Sequence, residues 1–220
     1  MRTFPVLVLG AALGFGGTLA EPSHAGMLEN AQVEAEQGDV AAQRFLGATY
    51  HLGKDVPQDY AQAAAWYRKA ASQGDAPAQS QLGLLYEKGQ GVPQDYAQAA
   101  GWYLKAADQG EAMAQFNLGS LYLLARGMPQ DYAQAAGWFL KAAEQSDATA
   151  QFFLGSMYCN GWGVPQDYAH GYMWYNLAAA QDEKQAMEYR DSMTKSLPPS
   201  QIEEGQRLTR EWLAAHPKGP

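Results

Sequence analysis

The sequence predicts an all-α fold, a solenoid of four helix-turn-helix units with capping helices at its ends. Three observations lead there. The string Pro-Gln-Asp-Tyr-Ala begins at Pro57, Pro93, Pro129 and Pro165, a constant step of 36 residues without insertion or deletion. A fixed period of this length marks stacked repeats. Leu46, Gly47, Tyr50 and Trp66 recur on the same step, at Leu82, Gly83, Tyr86 and Trp102 and so on to Trp174. The second half of each unit, such as Tyr96, Ala99, Ala100, Trp102, Tyr103, Ala106 and Ala107, is apolar around much of a helix. One helix pair cannot cover such a surface, but neighbours stacked in series can.

The elements follow in order. Met1-Arg2-Thr3 is a positive start, Phe4 to Phe15 is apolar apart from Pro5 and glycines, and small residues lead to Ala20. This is the layout of a signal peptide over residues 1–20, with Ala25 as the alternative end. The competing reading is an uncleaved anchor. A spanning helix wants about 20 apolar residues, and this run is shorter and rich in glycine. A cleaved signal makes the mature chain periplasmic or secreted, with no later segment apolar enough to span a bilayer.

The solenoid is expected over residues 27–181. Glu34-Ala35-Glu36-Gln37-Gly38 matches the end of a second helix, so the array opens with a half unit. In the second copy the first helix runs from about Asp75 to Glu87, with Gly89 as its stop. Gly91-Val92-Pro93 makes the turn. Asp95 and Gln98, three apart, form a capping box that opens the second helix. Asp59/Gln62 and Asp131/Gln134 repeat it, and the last copy has Asp167/His170. Gly110 closes the second helix, and Asp39, Asp75, Glu111 and Asp147 start the units. The glycine of each Leu-Gly marks a close contact that excludes a Cβ. It costs about 1 kcal/mol of helix propensity relative to alanine. Residues 182–216 form capping helices: Asp182/Gln185 caps one, Pro198-Pro199 breaks it, and Ser200/Glu203 opens the last through Leu213.

Composition narrows the function. The 220 residues hold 15 Lys+Arg against 23 Asp+Glu, a net charge of -8. Nucleic-acid binding needs clustered cations, so it is excluded as a partner, as is a polybasic membrane contact. Cys159 is the single cysteine, so no internal disulfide forms. His24, His51, His170 and His216 show no metal-ligand spacing. No nucleophile elbow, phosphate loop or Ser-x-x-Lys signature is present. The sequence therefore predicts no enzyme, metal or cofactor.

The repeat unit, Ala-x-x-x-Leu-Gly-x-x-Tyr, Gly-x-Gly-Val, Asp-Tyr, Trp-Tyr-x-Lys-Ala-Ala and Gln-Gly, resembles the Sel1-like repeat, a relative of the tetratricopeptide repeat. The second copy displays it most fully, from Ala78, Leu82, Gly83 and Tyr86 to Gln109 and Gly110. Departures are Asp55 for the second turn glycine in copy one and Ala125 for the first in copy three. Copy four differs at Gly171, Tyr172, Met173 and Asn176-Leu177. The resemblance covers about Glu34 to Gln181. It implies a right-handed solenoid acting as an adaptor in protein complexes, and exported bacterial members resemble parts of envelope, signalling and host-interaction assemblies.

Comparing the four copies with one another separates packing from display. Ala42, Gln43, Leu46, Gly47 and Tyr50 and their equivalents do not change and share one side of the first helix. The changing positions fall opposite, on a stripe that lines the concave face in two-helix solenoids. The candidate partner-binding residues are Arg44 and His51 in copy one, and Leu84, Glu87 and Lys88 in copy two. Phe116, Ser120, Leu123 and Leu124 follow in copy three, and Phe152, Ser156 and Asn160 in copy four. Ser80 and Cys159 occupy the same stripe. For Phe116, Leu123, Leu124 and Phe152 two readings stand: an exposed apolar patch that binds a partner, or packing against adjacent repeats. The Tyr and Trp series reads as core. The expected partner is another protein, with a cell-wall glycan as the alternative. An apolar stripe favours the first, and exposed Trp or Tyr beside Asp or Asn favours the second.

Overall fold

The computed structural model describes residues 24–217, which form eleven helices and no strand. The proposed signal peptide lies outside the described residues. Helix α1 (His24–Glu36) is the half unit. Four pairs follow: α2 (Val40–Leu52) with α3 (Tyr60–Ser72), α4 (Ala76–Lys88) with α5 (Tyr96–Ala107), α6 (Ala112–Leu124) with α7 (Tyr132–Glu144), and α8 (Ala148–Asn160) with α9 (Tyr168–Ala179). Helices α10 (Lys184–Ser196) and α11 (Pro199–Ala215) both pack on α9.

Carboxylates start these helices. Asp59 accepts from the backbone N–H of Ala61 and Gln62, Asp95 from Ala97 and Gln98, and Asp39, Asp75, Glu111 and Asp147 from the residue three further on. Each such cap contributes about 1 kcal/mol. The glutamine just before the second-helix cap closes the turn. Gln58, Gln94, Gln130 and Gln166 donate to the carbonyls of His51, Glu87, Leu123 and Cys159 at 2.7–2.8 Å. Pro-Gln-Asp thus ends one helix with its glutamine and begins the next with its aspartate. Two end caps differ from expectation. Glu183, not Asp182, caps α10, because Asp182 takes a left-handed φ of 64°. Helix α11 starts at Pro199 with no side-chain cap, since a proline at the first position needs no N–H partner.

The core straddles repeat boundaries. Ala63, Tyr67, Ala70 and Ala71 of α3 meet Ala78, Leu82 and Leu85 of α4, and Ala99, Tyr103 and Ala106 of α5 meet Leu118 and Leu121 of α6. The Leu-Gly glycines explain the spacing within a pair. A Cβ on Gly83 would lie 2.8 Å from the ring of Tyr103, and one on Gly119 or Gly155 would lie 2.9 Å from Phe139 or Tyr175. An aromatic side chain occupies the space of the missing methyl. Turn glycine Gly91 does the same job between copies, since a Cβ there would collide with the Tyr60 carbonyl.

The repeated tryptophan series is core. Trp66, Trp138 and Trp174 are buried and Trp102 half-buried. Lys69, Lys105 and Lys141 lie 3.7, 4.2 and 3.8 Å above the first three rings of the series. In copy four the lysine is Leu177, and Trp212 of α11 meets Trp174 edge-on at 5.9 Å. Gly205 seats α11 against the ring of Tyr172. The departures in copy four therefore fit it to its cap.

Candidate interaction surface on the first helices

The varying stripe is organised around one second-helix ring per copy: Tyr67, Tyr103, Phe139 and Tyr175. A stripe residue of the same copy meets three of them, His51 at Tyr67, Glu87 at Tyr103 and Cys159 at Tyr175, and Leu123 packs against the cluster that holds Phe139. A residue of the following helix meets three of the rings, Asn117 at Tyr103, Phe153 at Phe139 and Tyr189 of α10 at Tyr175, while Gln81 lines a groove with Tyr67. The polarity of these neighbours matches the ring. The Tyr103 hydroxyl donates to Glu87 at 2.8 Å and bonds Asn117, while Phe139, without a hydroxyl, stacks on Phe153 at 5.4 Å. Tyr175 shares a 2.9 Å hydrogen bond with Ser156 and lies 5.4 Å from Tyr189. A buried hydroxyl costs energy unless partnered, and the Tyr103 and Tyr175 hydroxyls each meet a partner.

This arrangement revises the expected patch. Phe116 is half-buried against Phe139 and Phe153, with centroids 5.6 and 5.8 Å apart. Phe152 is half-buried against Phe153, Tyr175 and Tyr189. Leu123 is also half-buried, so of the four apolar residues only Leu124 is exposed. The reason is that Phe153 and Tyr189, supplied by the following helix, wedge between them. Ser80 is fully buried, its short side chain not reaching past the helix contact from which Arg44 extends.

The remaining candidates are placed as follows. Arg44 is half-exposed and pairs at 2.7 Å with Asp75, the cap of α4. Glu87, besides Tyr103, faces Arg126 at 3.8 Å. Ser120 and Ser156 bond the carbonyls of Phe116 and Phe152, and Asn160 bonds that of Ser156. Leu84 is half-buried, while Lys88 and Asn160 are exposed. His51 meets Tyr60 and Tyr67 edge-on at 5.6 and 6.1 Å. Burial, then the charge of Lys88, push its pKa below 6.5. Burial lifts Tyr67 to about 12 and the Cys159 thiol to about 11, so that thiol stays protonated at neutral pH. Among the described residues no group of three or more His, Cys, Asp or Glu is placed to hold a metal.

Exposed apolar side chains occur along the whole array, and on the first helices they include Phe45, Leu52 and Leu124. Phe45, Leu52 and Leu124 are 49, 70 and 53 % exposed. Arg44, Phe45, Ala48, His51, Leu52 and Gln81 line a groove of about 500 Å³ between α2 and α4. Phe45 was missed in the sequence because the position it shares with Gln81, Asn117 and Phe153 was not compared. That position also varies on the 36-residue step and adjoins the stripe.

A stack of capped helix pairs whose core lies between units, and whose variable residues share one row, defines an α-solenoid repeat scaffold. Four Sel1 repeats match residues 40–75, 76–111, 112–147 and 148–189. The chain belongs to the Sel1 repeat family, whose members are generally protein-interaction scaffolds. The fold is similar to that of a protective antigen present in uropathogenic Escherichia coli strains that displays an SLR fold. The two share 39% identity over 85% of this chain, with a TM-score of 0.76. The match spans 40% of that antigen's length. A Sel1 repeat protein from Oxalobacter formigenes is 30% identical, with 82% of this chain and 81% of that one covered and a TM-score of 0.70. The search of curated proteins gives no match.

Proposed function

We propose that this chain is an exported scaffold that binds a segment of a partner protein along its first helices, on the concave face. The observation that carries this reading is the groove between α2 and α4, lined by the exposed apolar side chains of Phe45 and Leu52. Contiguous exposed apolar surface on a folded protein marks interaction sites. Half-buried Phe116 and Phe152 stiffen the surface further along. Export rests on the N-terminal layout of residues 1–20. It is supported by the 39% identical relative being a protective antigen, a role open to a protein that antibodies reach. No helix of the described residues is long and apolar enough to cross a membrane.

The test is affinity capture from envelope extract with a photo-crosslinking residue at position 52, compared with one at position 141. Crosslinked partner at 52 alone, lost in a Phe45→Ala/Leu52→Ala variant of unchanged helicity, is the expected result. A partner retained by that variant overturns the assignment.

A further inference from the structure

We propose that the cleft between copy four and α10 is a second site, which binds an uncharged oligosaccharide. Two connected hollows form it. One of about 220 Å³ is lined by residues that include Phe153, Ser156, Asn160 and Trp162. The other, of about 440 Å³, continues over Gln166 and Tyr168, and the two share Asn160, Tyr175 and Tyr189. The first-helix row changes character here. Where copies one and three expose Leu52 and Leu124, copy four exposes Asn160.

Three features point to sugar. The aromatic side chains are exposed with fixed positions: Trp162 is 42 % exposed and stacked on Tyr132 at 5.8 Å and 18°, and Tyr189 is 52 % exposed. The C–H face of a pyranose packs on such rings while its hydroxyls stay wet. Amides and hydroxyls stand among the rings. Asn160 spends an amide N–H on the Ser156 carbonyl, which leaves its Oδ1 to accept from a sugar hydroxyl. No residue lining either hollow carries a formal charge at neutral pH, the Cys159 thiol included. A phosphate or an acidic peptide would be desolvated there without a counter-charge. A neutral polyol loses nothing of that kind. Two adjoining hollows suit more than one ring.

The experiment titrates the signal-free chain with tri-N-acetylchitotriose, cellotriose and maltotriose, read by calorimetry and by NMR saturation transfer. At least one should bind with a Kd of about 1 mM or tighter. Trp162→Ala and Asn160→Ala should each weaken it about tenfold, with Trp162→Phe retaining most of the affinity as a control for folding. Both Ala variants should still capture the partner that Phe45→Ala/Leu52→Ala loses, and that double variant should bind the sugar normally. No binding of any of the three at about 10 mM overturns the proposal. So does binding that neither Ala variant changes. Loss of partner capture in Trp162→Ala without sugar binding would make the cleft part of the protein surface and likewise overturn it.

Discussion

Gln109 donates a side-chain hydrogen bond of 2.8 Å to Gln79, thirty residues earlier, and Gln79 donates in turn to the Ala71 carbonyl at 3.0 Å. The same link joins Gln73 to Gln43, Gln145 to Gln115 and Gln181 to Gln151. Each of these lower glutamines is buried and bonds the preceding second helix, at Ala35, Ala71, Ala107 or Ala143. The ladder ties every pair to the one before it by an amide that adds a second donor to a carbonyl already bonded to the backbone N–H three residues on.

Gln79→Leu should therefore destabilise the fold by about 1 kcal/mol, because the Ala71 carbonyl is left with its backbone donor, the Gly74 N–H, and the Gln109 amide loses its acceptor. Gln109→Ala should cost less, and the double variant should cost less than the two together. Urea unfolding of the four chains measures it. Additive losses would mean the two amides act separately.

Gly119→Val should be far worse than Ser120→Ala. A Cβ at Gly119 already meets Phe139 at 2.9 Å and the Ala135 carbonyl at 3.2 Å, and valine brings two methyls more. Overpacking of this kind costs about 1–3 kcal/mol. Ser120 bonds only the Phe116 carbonyl on its own helix, so its removal should stay within about 0.5 kcal/mol. Thermal melts settle it, and equal losses would show that no ring fills the glycine notch.

Phe139→Tyr should destabilise by about 1–3 kcal/mol, since the new hydroxyl would face Leu123 and Phe153 rather than the Glu87 and Asn117 that serve Tyr103. Adding Leu123→Glu should recover part of the loss. A denaturation cycle with no recovery would break the matching of ring and neighbour.

Ala125→Gly should stabilise by about 1 kcal/mol, because Ala125 ends α6 at φ 54°, where a Cβ is strained and the other three copies have glycine. The midpoint of urea unfolding should rise, and an unchanged midpoint would mean that the strain is relieved locally.

His51 sets a direction for pH. Its pKa is lowered in the fold from 6.5, so below pH 6.5 the unfolded chain takes a proton that the folded chain refuses. Stability should fall as pH drops through that window. His51→Asn should flatten the acid limb relative to the parent when melting temperature is compared at pH 7.5 and pH 5.5. Identical pH curves would mean that His51 titrates normally.

The helix pairs, their carboxylate caps and their buried tryptophans were legible because a 36-residue step puts the same residue in the same surroundings four times. The fate of Phe116 was not. Its burial is decided by Phe139 and Phe153, which sit in other columns of the repeat, so reading each column alone could not see it. The glutamine ladder escaped for a related reason, as its partners are thirty residues apart rather than thirty-six. Glu183 is the cap because it stands 36 residues after Asp147 and the turn winds as before, with Asp182 in the left-handed place of Ser146.

The pairing of Trp174 with Trp212, where earlier copies use a lysine, gives the protein a direction of growth. A unit duplicated upstream would bring its own lysine and its own notch, and would slot in without disturbing its neighbours. A unit added after copy four would find α11 already in its place. Length in such a chain can change like a telescope extended from one end, with the final lens fixed.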